Sequence, residues 1–166
     1  MILSFDASTT STGYALFDNG VLIEKGLIRS NKKDVQERIL DIYNGCKKIF
    51  TRNIYEYVFI EDVPLSSVVN RRVAENLLLL QGTILSLCME YGSKFIQMEP
   101  SNWRKLSGIK SGRKREEQKK AAIDYVNKLY GFDYKWIDGK YDSKTGDSDV
   151  CEAILIGLAG IKKIGA

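Results

Sequence analysis

The 166-residue sequence contains no histidine. That absence removes Ser-His-Asp and Cys-His nucleophilic machinery, histidine-ligated zinc and any histidine general base. Cysteine is scarce too. Cys46, Cys88 and Cys151 are widely spaced with no CxxC pair, and they read as buried free thiols in a reducing compartment. No uninterrupted apolar run reaches the ~18 residues of a membrane span; the nearest, Leu77 to Tyr91, is broken by Gln81 and Glu90. No basic-then-apolar leader opens the chain, so a cytoplasmic protein without a membrane partner is expected. No internal repeat or linker is visible, and residues 1–166 read as a single domain.

Net charge is small at +4, so no general affinity for nucleic acid follows from it; local distribution carries the information. With 44% hydrophobic and 28% charged residues, the chain suits a folded globular domain with a proper core. An enzyme built from this residue set would rely on carboxylates with hard metal ions.

Three strands are expected in the first ~28 residues. Ile2, Leu3 and Phe5 form a short apolar run ending at Asp6, five Ser/Thr residues follow, and Gly13 opens a second run. Asn19-Gly20 between Tyr14–Phe17 and Val21–Ile23 signals a two-residue hairpin turn. Asp34 to Phe50 carries apolar residues at helical spacing, and Tyr57–Ile60 reads as a buried central strand ending at Glu61-Asp62. Arg72 to Tyr91 reads as a Leu-rich helix, apolar on more sides than a surface helix needs. It is either the central helix or a subunit interface. Lys94–Met98 is a further strand, and a last helix runs from about Asp149 to Ile161. The sum is an α/β fold with a mixed sheet.

The segment Arg104 to Lys120 concentrates charge. Arg104, Lys105, Lys110, Arg113, Lys114, Arg115, Lys119 and Lys120 face only Glu116 and Glu117. Gly108 and Gly112 suggest a loop for its first half, with a helix from Arg113 onward. Such a run suits phosphate contacts, which are sequence-independent and salt-sensitive; a solvated helix face is the plain alternative.

Two buried strands end in acids, Asp6 and Glu61, and the last helix begins Asp149-Val-Cys-Glu152. Residues three apart share a helix face, so Asp149 and Glu152 can point at one object. The same pair could instead be a cap, with Asp149 at the N-cap and Glu152 reaching back to its amide. Asp147, in Gly146-Asp-Ser-Asp, is an alternate candidate for a metal-ligating role.

Taken together, Ile2-Leu-Ser-Phe-Asp6 with Thr12-Gly13-Tyr14, Phe59-Ile-Glu61-Asp-Val63, the basic loop Gly108–Gly112 and Asp149-Val-Cys-Glu-Ala-Ile-Leu-Ile156 resemble the RuvC-type Holliday junction resolvases of the ribonuclease H-like superfamily. The resemblance spans nearly the whole chain, and the small size is similar to phage-encoded members. It implies a five-stranded mixed sheet, an antiparallel 1-2-3 meander plus two parallel strands, flanked by helices. It implies four carboxylates, Asp6, Glu61, Asp149 and Glu152, holding two Mg²⁺ ions for which Mn²⁺ can substitute, and no organic cofactor. Two metals roughly 3.5–4 Å apart activate water and relieve transition-state charge in phosphodiester hydrolysis, and oxygen-only ligands suit these ions.

The implied activity is crossover junction endodeoxyribonuclease: binding of four-way DNA and resolution by paired symmetric nicks, in recombination and repair. A homodimer is implied by the two-fold symmetry of that substrate. The DNA-binding candidates are Arg104, Lys105, Lys110, Arg113, Lys114 and Arg115. The chain departs from the family pattern at Ala7-Ser8, where Pro-Gly is common, at Glu152, where Asp is common, and at Pro64-Leu65, where bacterial members often carry a base-stacking aromatic. Three other readings compete: an RNase H-like nuclease for other branched DNA or RNA–DNA hybrids, a nucleotide-binding domain of the actin and sugar-kinase type, and a non-catalytic nucleic-acid binder.

Overall fold

A computed structural model of the chain describes residues 1–63, 70–110, 112, 114–136 and 145–165. The expected meander is present. Strand β1 (Ile2–Asp6) pairs antiparallel with β2 (Ser11–Asp18), which pairs antiparallel with β3 (Val21–Arg29). The β2–β3 turn has φ +47° at Asn19 and +77° at Gly20, the two left-handed residues of a turn that matches strand twist. Helix α1 (Val35–Phe50) follows, capped by the Asp34 side chain, which accepts from the amides of Gln36 and Glu37. Strand β4 (Tyr57–Glu61) then lies parallel to β1, helix α2 (Arg71–Glu90) crosses, and β5 (Lys94–Met98) lies parallel to β4. The sheet order is β3-β2-β1-β4-β5, the mixed five-stranded arrangement expected.

The sheet divides two cores because side chains alternate along each strand. Leu3 and Phe5 of β1 and Val58 and Ile60 of β4 pack on α1 and α2, against Ile42, Phe50, Leu80, Ile84 and Leu87. Ile2 and Phe59 face the opposite way, toward a long last helix, α5 (Asp147–Ile164), through Ile154, Leu155 and Ala159. Between these apolar contacts the buried Ser4 hydroxyl donates to the Ala153 carbonyl at 2.7 Å, tying β1 to α5. The same alternation sends Asp6 and Glu61, at the ends of their strands, to the α5 side. All three cysteines are buried and none is in a disulfide.

Helix α2 takes the core role left open for it and keeps an exposed apolar side. Leu80, Ile84 and Leu87 are inaccessible, whereas Leu79 and Met89 are 62% and 76% exposed on its outer side. By length and composition α2 would suffice to cross a membrane, but its inner face is committed to the core.

One correction concerns the basic segment. Arg104 and Lys105 lie in a helix, α3 (Pro100–Ser107), rather than a loop. Pro100 suits a helical first turn, and Gly108, at φ +83°, ends the helix in the left-handed conformation. Helix α4 (Arg115–Tyr130) begins as expected just beyond, with Glu117 accepting from the Lys114 amide at 3.2 Å. Arg113 and the Pro64-Leu65 pair lie outside the described residues.

Candidate active site

Four acids arrive at one end of the sheet. β1 delivers Asp6, and its parallel neighbour β4 delivers Glu61 one register step beyond the Phe5–Ile60 pair. Helix α5 supplies Asp149 from its first turn and Glu152 three residues on. Carboxylate oxygens of Asp6, Asp149 and Glu152 lie within 4.8 Å of one another. This corrects the capping alternative. The helix starts two residues before Asp149, with Gly146 as its N-cap at φ +70° and no side-chain cap, so the acid pair is free to face the sheet.

The close approach of α5 depends on Gly13, which pairs with Asp6 across the β1–β2 ladder. A Cβ at position 13 would stand 2.0 Å from the Asp149 carbonyl oxygen and 2.8 Å from the Val150 nitrogen. Only glycine lets the acid-bearing turn sit against the strand that carries Asp6.

Each acid is held by a distinct set of donors. The Ser11 hydroxyl donates to Asp149 Oδ2 at 2.6 Å, and Lys119 Nζ lies 3.3 Å from Oδ1 while also donating to Ser148 Oγ at 2.8 Å. The Ser/Thr turn is itself braced. Ser8 Oγ donates to the Ser11 carbonyl, and Thr12 Oγ1 donates to the Ser8 carbonyl, both at 2.8 Å. Glu152, 6% exposed, is 3.6 Å from Arg104 Nη2. Trp103, fully buried, donates its indole Nε1–H to Glu61 Oε2 at 3.0 Å, and the Arg104 guanidinium sits 4.4 Å over its ring. The Glu61 carbonyl accepts from Gln81 Nε2 at 2.7 Å, and Gln81 in turn accepts from Gln97. Asp147 turns away: its Oδ2 accepts from the Lys135 amide at 2.9 Å, leaving it outside the cluster.

Crowding of like charge in a desolvated place shifts these groups. Burial, reinforced by Glu152, Glu61 and Asp149, raises Asp6 well above the usual carboxylate range, against the opposing pull of Lys119. Burial and then the Glu61 charge push Glu152 up to about 7. Burial also raises Glu61, opposed first by Arg104 and then by the Trp103 hydrogen bond. Convergent carboxylate oxygens that repel one another are a donor set for a hard divalent cation; the residues fit Mg²⁺ or Mn²⁺.

Among the basic residues named from the sequence, Lys105, Lys110, Lys114 and Arg115 are exposed, while Arg104 is drawn inward to Glu152. Two cavities flank the acids. One, of about 470 Å³, is bordered by Asp6, Glu61, Asp62, Arg38, Gln81 and Arg115 among others. The other, of about 520 Å³, is bordered by Asp149, Lys119 and Arg115 with residues of β3 and the following loop. Sequence reading missed the parts of Ser11, Lys119 and Trp103. Lys119 was visible only as one cation among eight, and no local pattern marks Trp103 as the partner of an acid. Its burial excludes stacking on a base.

No family model and no curated protein matches the sequence. The fold, however, is shared with solved structures. Thermus thermophilus RuvC in complex with a Holliday junction substrate matches with a TM-score of 0.71 and 15% identity, over 99% of this chain and 95% of that one. The fold is that of RuvC, ribonuclease H-like. A second Thermus thermophilus RuvC structure gives a TM-score of 0.69, also at 15% identity, over 99% and 96% of the two chains. The yeast mitochondrial Holliday junction resolvase Ydc2 gives 0.54 and 12% identity, over 95% of this chain and 76% of that one. Among the four expected acids, the tight cluster gathers Asp6, Asp149 and Glu152; Glu61 stands beside it, held by Trp103.

Proposed function

We propose that the chain is a metal-dependent crossover junction endodeoxyribonuclease that binds four-way DNA and resolves it by paired symmetric nicks. The observation that carries this reading is the convergence of Asp6, Asp149 and Glu152 within 4.8 Å in a chain with the RuvC fold, a RuvC of this fold having been solved on a Holliday junction.

Asp6, Asp149 and Glu152, with Glu61 beside them, would hold Mg²⁺ or Mn²⁺, two per site by the family pattern. The bound metal supplies an activated water and neutralisation of charge on the phosphoryl oxygens. The protein's own residues prepare the place. Ser11 and Lys119 fix the Asp149 carboxylate from two sides, Trp103 fixes Glu61, and Arg104 offsets part of the charge on Glu152. Hydrogen bonds of this kind orient metal-binding carboxylates. Arg115, at the border of both cavities, meets the phosphate backbone, and Lys105, Lys110 and Lys114 extend the contact along it.

A four-way junction is two-fold symmetric, so two matched nicks call for a C2 homodimer. The exposed apolar side of α2, with Leu78, Leu79, Leu85 and Met89, is the face we assign to that interface.

The test is the purified chain on labelled four-way junction, duplex, replication fork and RNA–DNA hybrid, in Mg²⁺, Mn²⁺ or EDTA. Paired nicks at symmetric positions on the junction, abolished by EDTA, are expected. Cleavage of the hybrid with the junction untouched would transfer the site to the RNase H-type alternative.

A further inference from the structure

The cavity beside Asp149 has a composition unlike that of its neighbour. Arg29 from the end of β3, Lys32 from the β3–α1 loop, and Arg115 and Lys119 from α4 all border it, together with the Ser8 and Thr10 hydroxyls. These cations come from three separate elements and converge on one space of about 520 Å³. Asp149, paired to Lys119, is the one carboxylate bordering it, and among the described residues Arg29, Lys32 and Arg115 make no ion pair. Arg115 is partly offset by the Glu61 charge on the side of the neighbouring cavity, but among the described residues Arg29 and Lys32 have no such partner. Cations drawn together without ion pairs repel one another until an anion enters their midst.

The loop that carries Lys32 is pinned in place. Arg38 of α1 donates through Nη1 to the Lys33 carbonyl at 2.7 Å and to the Lys32 carbonyl at 3.3 Å. The Lys32 amide donates to Ser30 Oγ at 3.3 Å, and the Ser30 amide to the Thr10 carbonyl at 3.1 Å. The loop is thereby fastened to the Ser/Thr turn beside Asp6.

The two cavities share Ser8, Thr10 and Arg115. Asp6 and Glu61 border one and Asp149 the other, so the acid cluster lies where they meet. A strand reacting at the acids passes from one cavity into the other.

Resting on the nuclease reading above, we propose that the Arg29–Lys32–Arg115 cavity is a phosphodiester subsite that holds a backbone phosphate next to the one cleaved. The proposal adds a contact from the N-terminal half of the chain to the basic segment of residues 104–120, and it gives the cleaved strand a direction, from the α2 side toward β3.

The experiment measures four-way junction binding in metal-free buffer across a salt series, for the wild-type chain and the R29Q/K32Q double variant, with R29K/K32R as the charge-preserving control. The double variant is expected to bind about tenfold more weakly, with a log Kd against log salt slope shallower by about 1 to 2. The control is expected to restore both. Junctions carrying a single neutral methylphosphonate at successive positions around the nick then locate the phosphate. At one position the substitution weakens the wild type about tenfold and the double variant not at all, since both remove the same contact. Equal affinity and slope for wild type and double variant, in a protein that nicks junctions, overturns the subsite and leaves the nuclease reading standing. If the wild type cuts no branched DNA in any metal, the nuclease reading falls, and the same binding comparison still decides whether the cavity holds phosphate. Should the double variant fail to fold, R29Q and K32Q singly, each with about half the slope change, replace it.

Discussion

Gly13 and Asp149 are in backbone contact: a Cβ on the first would lie 2.0 Å from the carbonyl oxygen of the second. The relationship explains how a helix and a strand more than a hundred residues apart in sequence bring acids within coordination range. Gly13→Ala forces the start of α5 away from β1. Overpacking of this kind costs about 1–3 kcal/mol, and a shift of about 1 Å at the reacting centre costs on the order of 100-fold in rate. Thermal melts and single-turnover cleavage are expected to show both losses. An alanine variant with wild-type cleavage would mean that α5 need not sit this close.

Trp103→Phe preserves an aromatic ring of similar size in the core while removing the Nε1–H that Glu61 accepts at 3.0 Å. Losing a partner of this kind costs roughly 10–100-fold in metal affinity where the carboxylate acts on the metal. Calorimetric Mn²⁺ titration is expected to show that drop with near-wild-type melting. Unchanged Mn²⁺ affinity would confine Trp103 to packing.

The acids make stability depend on pH in a direction opposite to that of a salt-bridged carboxylate. Glu152 has an ordinary value of 4.5 and rises to about 7 in the folded chain, and Asp6 is raised as well. For Glu152 the folded state holds more protons than the unfolded one between those limits, so its contribution to metal-free stability falls as pH increases from about 4.5 to 7 and levels off above, and Asp6 acts in the same direction. For Glu152 the loss is on the order of 3 kcal/mol. Urea melts at pH 5 and pH 8 are expected to show it, Glu152→Gln to reduce it, and millimolar Mn²⁺ at pH 8 to restore stability. A metal-free protein equally stable at both pH values would contradict the crowded-acid description.

Leu79 and Met89 are the most exposed apolar residues of α2. Placing charge there, Leu79→Glu with Met89→Glu, is expected to yield a monomer by analytical ultracentrifugation and to uncouple the two nicks of a junction, with folding intact. A wild-type chain that sediments as a monomer at micromolar concentration would remove α2 as an interface.

The sheet was legible because strand alternation and the Asn19-Gly20 turn are local signals. So were the ends of β1 and β4, where apolar runs stop at Asp6 and Glu61. Helix α3 carried its own punctuation, Pro100 and Gly108, but Gly108 read with Gly112 as a loop rather than as the end of a helix. The start of α5 was misplaced because Asp149 and Glu152 satisfy a capping pattern, and only the left-handed Gly146 shows that the helix begins earlier. Ser11, Lys119 and Trp103 were not legible as partners of acids. Each lies between about 30 and 140 residues from the group it holds, and nothing local marks such a pairing.

We propose that the Asp6 cluster cuts junction DNA with a divalent metal. The most direct test is cleavage of a labelled four-way junction in Mg²⁺ by the wild type and by Asp6→Asn, with binding measured in parallel. Paired symmetric nicks are expected from the wild type, and in the variant roughly a 1000-fold or greater loss of cleavage with junction affinity kept or increased, on the order of the several kcal/mol that metal ions contribute to charge stabilisation. Cleavage by Asp6→Asn at the wild-type rate would contradict it.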